Sequence, residues 1–180
     1  EENFLRALEI EESVLGSDHP NLAVTLASLG NLYKEQGLYQ KAEENFIRAL
    51  TIEKKAFGNN HPYVAEKLIY IGDLFELQGL LNKAEKNYLS ALEIEYSVFG
   101  ADHPEVASTL GTLAILYEQK GLYKKAEENF KRALSIEEKA LGEDHAAVAN
   151  TLAWLGFLYS NQGQYKKGED YLLSSLDKFK

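Results

Sequence analysis

Leu22, Leu26, Leu29 and Tyr33 recur at intervals of four, three and four, with Ala23, Ala27 and Gly30 running beside them. That spacing is the period of an α-helix with one buried stripe and a parallel row of small residues. A second block carries Tyr39, Ala42, Phe46, Ala49, Leu50, Ile52 and Phe57 and stops at Gly58. Extended along the chain, the pattern predicts first helices over 20–36, 62–78, 104–120 and 146–162. It predicts second helices over 38–57, 80–99, 122–141 and 164–179, after a leading helix over 2–15. No segment alternates with the period of a strand, so the expected class is all-α with about nine helices. Pro20, Pro62 and Pro104 suit a first helical turn, where a missing N–H costs nothing. The Asp-His or Asn-His before them supplies capping acceptors. Gly37 and its equivalents end the first helices, and the one or two residues that follow force the next helix to fold back antiparallel.

These blocks are copies. Gly16, Gly58, Gly100 and Gly142 are spaced by 42 residues, as are Gly37, Gly79, Gly121 and Gly163. His19, His61, His103 and His145 keep the same period, as do Tyr33, Phe75, Tyr117 and Tyr159. A period of this size marks a repeat architecture in which helical hairpins bury their remaining apolar faces against neighbours. The expected organisation is a partial repeat over 1–16, repeats over 17–58, 59–100 and 101–142, and a shortened one over 143–180. The last unit has Ala146 for proline, Gly168 and Ser175 for the two alanines, and Leu172 for the aromatic residue.

The columns Leu26, Leu29–Gly30, Tyr33, Gly37, Ala42, Phe46 and Ala49, repeated as Leu68, Ile71–Gly72, Phe75, Gly79, Ala84, Tyr88 and Ala91, resemble the tetratricopeptide repeat (TPR). The 42-residue unit with its Gly-x-x-His-Pro turn is similar to the repeats of kinesin light chains. The resemblance covers the whole chain. It implies a right-handed α-solenoid, the TPR superhelix, and a protein-binding scaffold that forms part of a longer protein.

Composition narrows the partner. Nineteen Lys and Arg against 28 Asp and Glu leave a net charge of −9, which disfavours nucleic acid and anionic membrane surfaces. There is no cysteine and hence no disulfide or thiolate chemistry. No apolar stretch is long enough for a transmembrane helix, and the expected compartment is the cytoplasm. No phosphate-binding glycine loop, zinc-protease or nucleophile-elbow motif occurs, so no enzyme and no cofactor is expected. The histidines lie too far apart for a shared metal and read as turn or capping residues. The adjacent acids Glu11–Glu12, Glu43–Glu44 and Glu127–Glu128 read as solvated helix faces.

Function is expected on the free face of the first helices, taken as the concave side. Besides Val24, Ala27, Gly111, Ala153 and Ser160, that face offers Asn31, Lys34 and Glu35, then Glu66, Ile69, Asp73, Glu76 and Leu77. It continues with Ser108, Ile115, Glu118 and Gln119, then Asn150, Phe157 and Asn161. These positions vary between units far more than the packing columns do. One lysine against five acids favours a neutral-to-basic peptide with apolar anchors toward Ile115 and Phe157. Family members that clamp acidic tails use Lys, Arg and Asn here, and Asp73 argues against that ligand. Kinesin light chains carry neighbouring asparagines where this chain has Ala27–Ser28, Ile69–Tyr70, Gly111–Thr112 and Ala153–Trp154. A spacer or oligomerisation segment without its own ligand is the alternative. Trp154 is read as a groove anchor, as a packing residue, or, with Phe157, Leu173, Leu176 and Phe179, as part of an apolar end. Phe4, Leu5 and Leu8 form the other end, and end-to-end self-association is expected.

Overall fold

The computed structural model describes residues 1–178. Among them are nine α-helices and no strand: α1 (Glu2–Leu15), α2 (Asn21–Glu35), α3 (Tyr39–Phe57), α4 (Pro62–Leu77) and α5 (Leu81–Phe99), then α6 (Pro104–Gln119), α7 (Tyr123–Leu141), α8 (Ala146–Asn161) and α9 (Tyr165–Asp177). The fold is all-α, of the α-solenoid class. Several helices begin or end one residue inside the expected span, because the outermost residues act as caps. Pro62 and Pro104 open their helices, whereas Pro20 caps α2. Phe179 lies outside the described residues.

Each turn is built from a repeated device. The Nδ1 atoms of His61, His103 and His145 accept from the backbone N–H two residues on, at 3.2–3.3 Å, and His19 does the same to Asn21. This satisfies a donor that the helix start would leave bare. Two of these rings also stack on the last aromatic of the preceding helix, Phe57–His61 at 4.6 Å and Phe99–His103 at 4.5 Å. The two glycine columns differ in backbone. Gly37 (φ +73°) closes α2 with a paired bond set, Gly37 N–H to Lys34 and Leu38 N–H to Tyr33, which is the Schellman arrangement. Gly58 (φ 86°, ψ 171°) sits instead in an extended region open only to glycine, and turns the chain toward the next cap.

The chain forms two compact units, Glu1–Val98 and Phe99–Lys180. In the first, α2 and α3 form a hairpin, α1 lies on α2, and α3 lies on α4. Leu22, Ala23, Leu26, Ala49 and Ile52 make one buried cluster, with Leu8 against it. Val64, Ala65, Ala91 and Ile94 make a second. In the other unit, hairpins α6–α7 and α8–α9 meet through α7 and α8.

The departures of the last hairpin have local reasons. A Cβ on Gly156 would lie 2.6 Å from Leu172 Cγ, and one on Gly168 would lie 2.3 Å from Ser160 Oγ. The helices are therefore closest where side chains are smallest. The buried Ser175 hydroxyl donates to the Ala149 carbonyl at 2.7 Å.

Candidate functional site

A row of acids lies beneath the first helices. Four of the second helices, α1, α3, α5 and α7, carry an Ile-Glu pair at the repeat spacing: Ile10–Glu11, Ile52–Glu53, Ile94–Glu95 and Ile136–Glu137. In the later three copies both the isoleucine and the glutamate are buried, whereas Ile10 is exposed. Glu11 accepts from the Thr25 hydroxyl at 2.8 Å, and Glu137 is hydrogen-bonded by Thr151. Where those units have threonine, α4 has Lys67, whose buried Nζ lies 3.4 Å from Glu53 Oε1. Lys67 also reaches Glu66 at 2.5 Å and sits 5.3 Å from the Tyr70 ring centre.

Burial pushes the Glu53 carboxyl above the usual carboxylate range despite Lys67, and burial does the same at Glu137 despite Thr151 and His145. For Glu66, burial acts upward, but hydrogen bonds from Lys67 and Tyr70 outweigh it and hold the carboxyl low. The Tyr70 hydroxyl is pushed up to about 12 by burial and by Glu66.

The predicted face is partly spoken for. The fully buried Tyr88 sends its hydroxyl out to Asp73 Oδ1 and Glu76 Oε2, each at 2.8 Å. Burial raises the Asp73 carboxyl, against the Tyr88 bond and the positive charge of Lys34. Asp73 and Glu76 thus tether a core aromatic, and substitutions there disturb packing as well as the face. On α6 and α8, Glu118 Oε1 accepts from the Asn161 amide at 2.6 Å, so these two predicted residues meet. Ala27, expected on the open face, is buried. Glu35, Leu77, Ser108, Gln119, Asn150 and Phe157 are exposed, while Asn31, Lys34, Ile69 and Ile115 are half-buried.

One reading of the charged residues needs correction. Glu11, Glu12 and Glu127 are half-buried and bonded rather than solvated: Glu12 pairs with Arg48, and Glu127 accepts from Tyr159 at 2.6 Å. A lysine column also went unrecognised. Lys41, Lys83 and Lys125 each stand 5.0 Å from the ring centres of Tyr33, Phe75 and Tyr117, and Lys167 stands 3.8 Å from that of Tyr159. Each lysine faces its aromatic across a hairpin, as a cation over a π face. Among the described residues, no group of acids and histidines is arranged to hold a metal ion. No described helix is long and apolar enough to cross a membrane.

Each unit has a cleft over a buried glutamate. In the first it measures about 310 Å³ and is lined by Pro20, Asn21, Val24, Glu53, Phe57, Tyr63, Glu66 and Lys67. In the second it measures about 320 Å³ and brings Ser108, Ile115 and Asn150 together with Gly111, Thr112, Glu137 and Trp154. Trp154 is 41% exposed, lies parallel to Phe130 at 6.4 Å, and meets Phe157 edge-on at 6.1 Å. It therefore packs and remains available at once.

The model of the tetratricopeptide repeat matches residues 1–55, 27–94, 63–139 and 113–180. No curated protein sequence matches the chain. Among solved structures, BtubC (BKLC) from P. vanneervenii is similar over 97% of this chain and 70% of its own, with a TM-score of 0.84 and 25% identity. A Podosopora anserina chain assigned as a kinesin light chain, with nearly identical TPR-like repeats, matches over 98% and 84%. Its TM-score is 0.80 and its identity 20%. The apo form of RapI matches over 98% of this chain and 49% of its own, with a TM-score of 0.79 and 18% identity.

Proposed function

Because the chain belongs to the tetratricopeptide-repeat family, whose fold generally serves as a non-enzymatic scaffold for protein partners, we propose that it holds a neutral-to-basic peptide segment on the exposed faces of its first helices. It acts as a cytoplasmic adaptor on this reading. One observation carries the proposal: positions with a packing duty repeat, and positions without one do not. Leu26, Leu68, Leu110 and Leu152 hold one column, and Glu11, Glu53, Glu95 and Glu137 another, whereas Val24, Glu66, Ser108 and Asn150 occupy a face position in turn. A side chain free of packing can diversify toward a ligand without loss of the fold.

The exposed chemistry supports the partner class. Trp154 and Phe157 supply aromatic anchors beside the second cleft, of the kind that dominates peptide binding. The net charge of −9 attracts basic segments. Selection from a random displayed peptide library on the immobilised chain tests this. The enriched peptides are expected to pair a Lys or Arg with an aromatic or aliphatic residue, and to bind more weakly as salt is raised. Absence of enrichment, as for a spacer, or enrichment of acidic peptides would refute the proposal.

A further inference from the structure

The two clefts differ in one respect that names a ligand group. In the first unit the buried Glu53 already has a cation, since Lys67 of the neighbouring helix lies 3.4 Å away. In the second unit the corresponding pair is Glu137 and Thr151, an acid without the lysine. Glu137 is 7% exposed and lines the cleft, and its Oε2 has no hydrogen-bond partner. A carboxylate oxygen left in that condition favours any donor that can be brought to it. Glu138 and His145 are the other titratable groups acting on it.

The same cleft is held open by a missing side chain. Gly111 stands where the other units have Ala27, Ile69 and Ala153. A Cβ added to Gly111 would meet nothing within 4 Å, whereas one on Gly30 or Gly72 would strike an aromatic ring. Packing therefore does not require glycine here. The space lies beside Trp154, whose π face attracts a guanidinium more than any other side chain attracts it.

We propose that the cleft between α6 and α8 is a pocket for one arginine side chain of a bound peptide, with its stem in the space over Gly111, its guanidinium plane against Trp154 and an N–H donated to Glu137. The carboxylate oxygen is shielded from water at rest, so engagement turns the Glu137 side chain into the cleft it lines. The raised Glu137 carboxyl agrees with this, since an arriving cation would lower it again. This pocket rests on the peptide-binding reading above and specifies one residue of the ligand.

Trp154 is the only tryptophan in the chain and reports directly on its own cleft. Titrating the intact chain with acetyl-Gly-Arg-Gly-amide is expected to change Trp154 fluorescence saturably. The citrulline counterpart, of the same shape but uncharged, should bind at least about tenfold more weakly. Glu137→Gln should cost about the same factor, and Gly111→Ile, which fills the cleft with the residue found at position 69, should abolish the response with an unchanged circular dichroism spectrum. A response that does not saturate, that is equal for citrulline, or that survives Gly111→Ile overturns the pocket. Library-selected peptides that bind yet ignore both substitutions also overturn it and leave the peptide-binding reading standing. A chain that binds neither the tripeptide nor any displayed peptide sinks both.

Discussion

Gly72→Ala is expected to destabilise the chain by about 2 kcal/mol, while Gly30→Ala, the same substitution one unit earlier, stays within about 1 kcal/mol of the parent. The added Cβ would lie 2.4 Å from Tyr88 Cε1 in the first case and 2.5 Å from Phe46 Cε1 in the second. Distance alone does not separate them. Phe46 has no hydroxyl to hold it and can give way; at the equivalent place in the other unit the buried Phe130 coexists with Ala114. Tyr88 cannot retreat without drawing its hydroxyl away from Asp73 and Glu76. Both substitutions gain about 0.8–1 kcal/mol of helix propensity, which offsets the clash at Gly30 and not at Gly72. Urea unfolding of the two variants measures the difference. In a Tyr88→Phe background the Gly72→Ala penalty should shrink toward that of Gly30→Ala, and an undiminished penalty would remove the tether from the explanation.

Lys67→Met is expected to cost about 3 kcal/mol at neutral pH, because it strands Glu53 in the core without its cation. Lys67→Thr should cost clearly less. Thr25 and Thr151 stand at that position in other repeats and hydrogen-bond their own glutamates, so the site accepts a hydroxyl donor. The double substitution Glu53→Leu with Lys67→Met should recover most of the loss, since an apolar pair of similar volume needs no compensation. The pH dependence follows from Glu53. Its carboxyl is raised above the ordinary 4.5, so in the pH window just above 4.5 the native state binds more proton than the unfolded state. That protonated form stabilises the native state at low pH, and the contribution is lost as pH rises through the window above 4.5. Removing Lys67 takes away the influence that lowers this carboxyl, which widens the window. The Lys67→Met penalty should therefore shrink as pH falls toward 5, and denaturant titrations across that range read it.

The helices, their antiparallel pairing and the caps were legible in the sequence because each is written locally. A 3.6-residue period, a Pro or His at a start and a Gly at a stop act within a few residues of themselves. The acid column was written equally clearly, as Ile-Glu four times at the repeat spacing, yet glutamate on a helix is ordinarily solvent-facing and reads as such. Constancy across copies was the available signal, as it was for the Lys41, Lys83, Lys125 and Lys167 column. What the period could not show is pairing across helices. Asp73 and Glu76 fall on the free face by helical count, and only the approach of Tyr88 from the next helix reveals their partner. Gly111 also falls on the free face by helical count, and what the period could not show is the open space around it.

The central claim is that packing columns carry the fold while the varying positions of the first helices carry the ligand. Isothermal titration of a library-selected peptide, against the parent chain and against a variant with Ser108, Ile115 and Phe157 replaced by alanine, tests it most directly. Binding that falls by about tenfold or more, with a melting temperature within a few degrees of the parent, is the predicted result. Equal affinity for the two chains would contradict it.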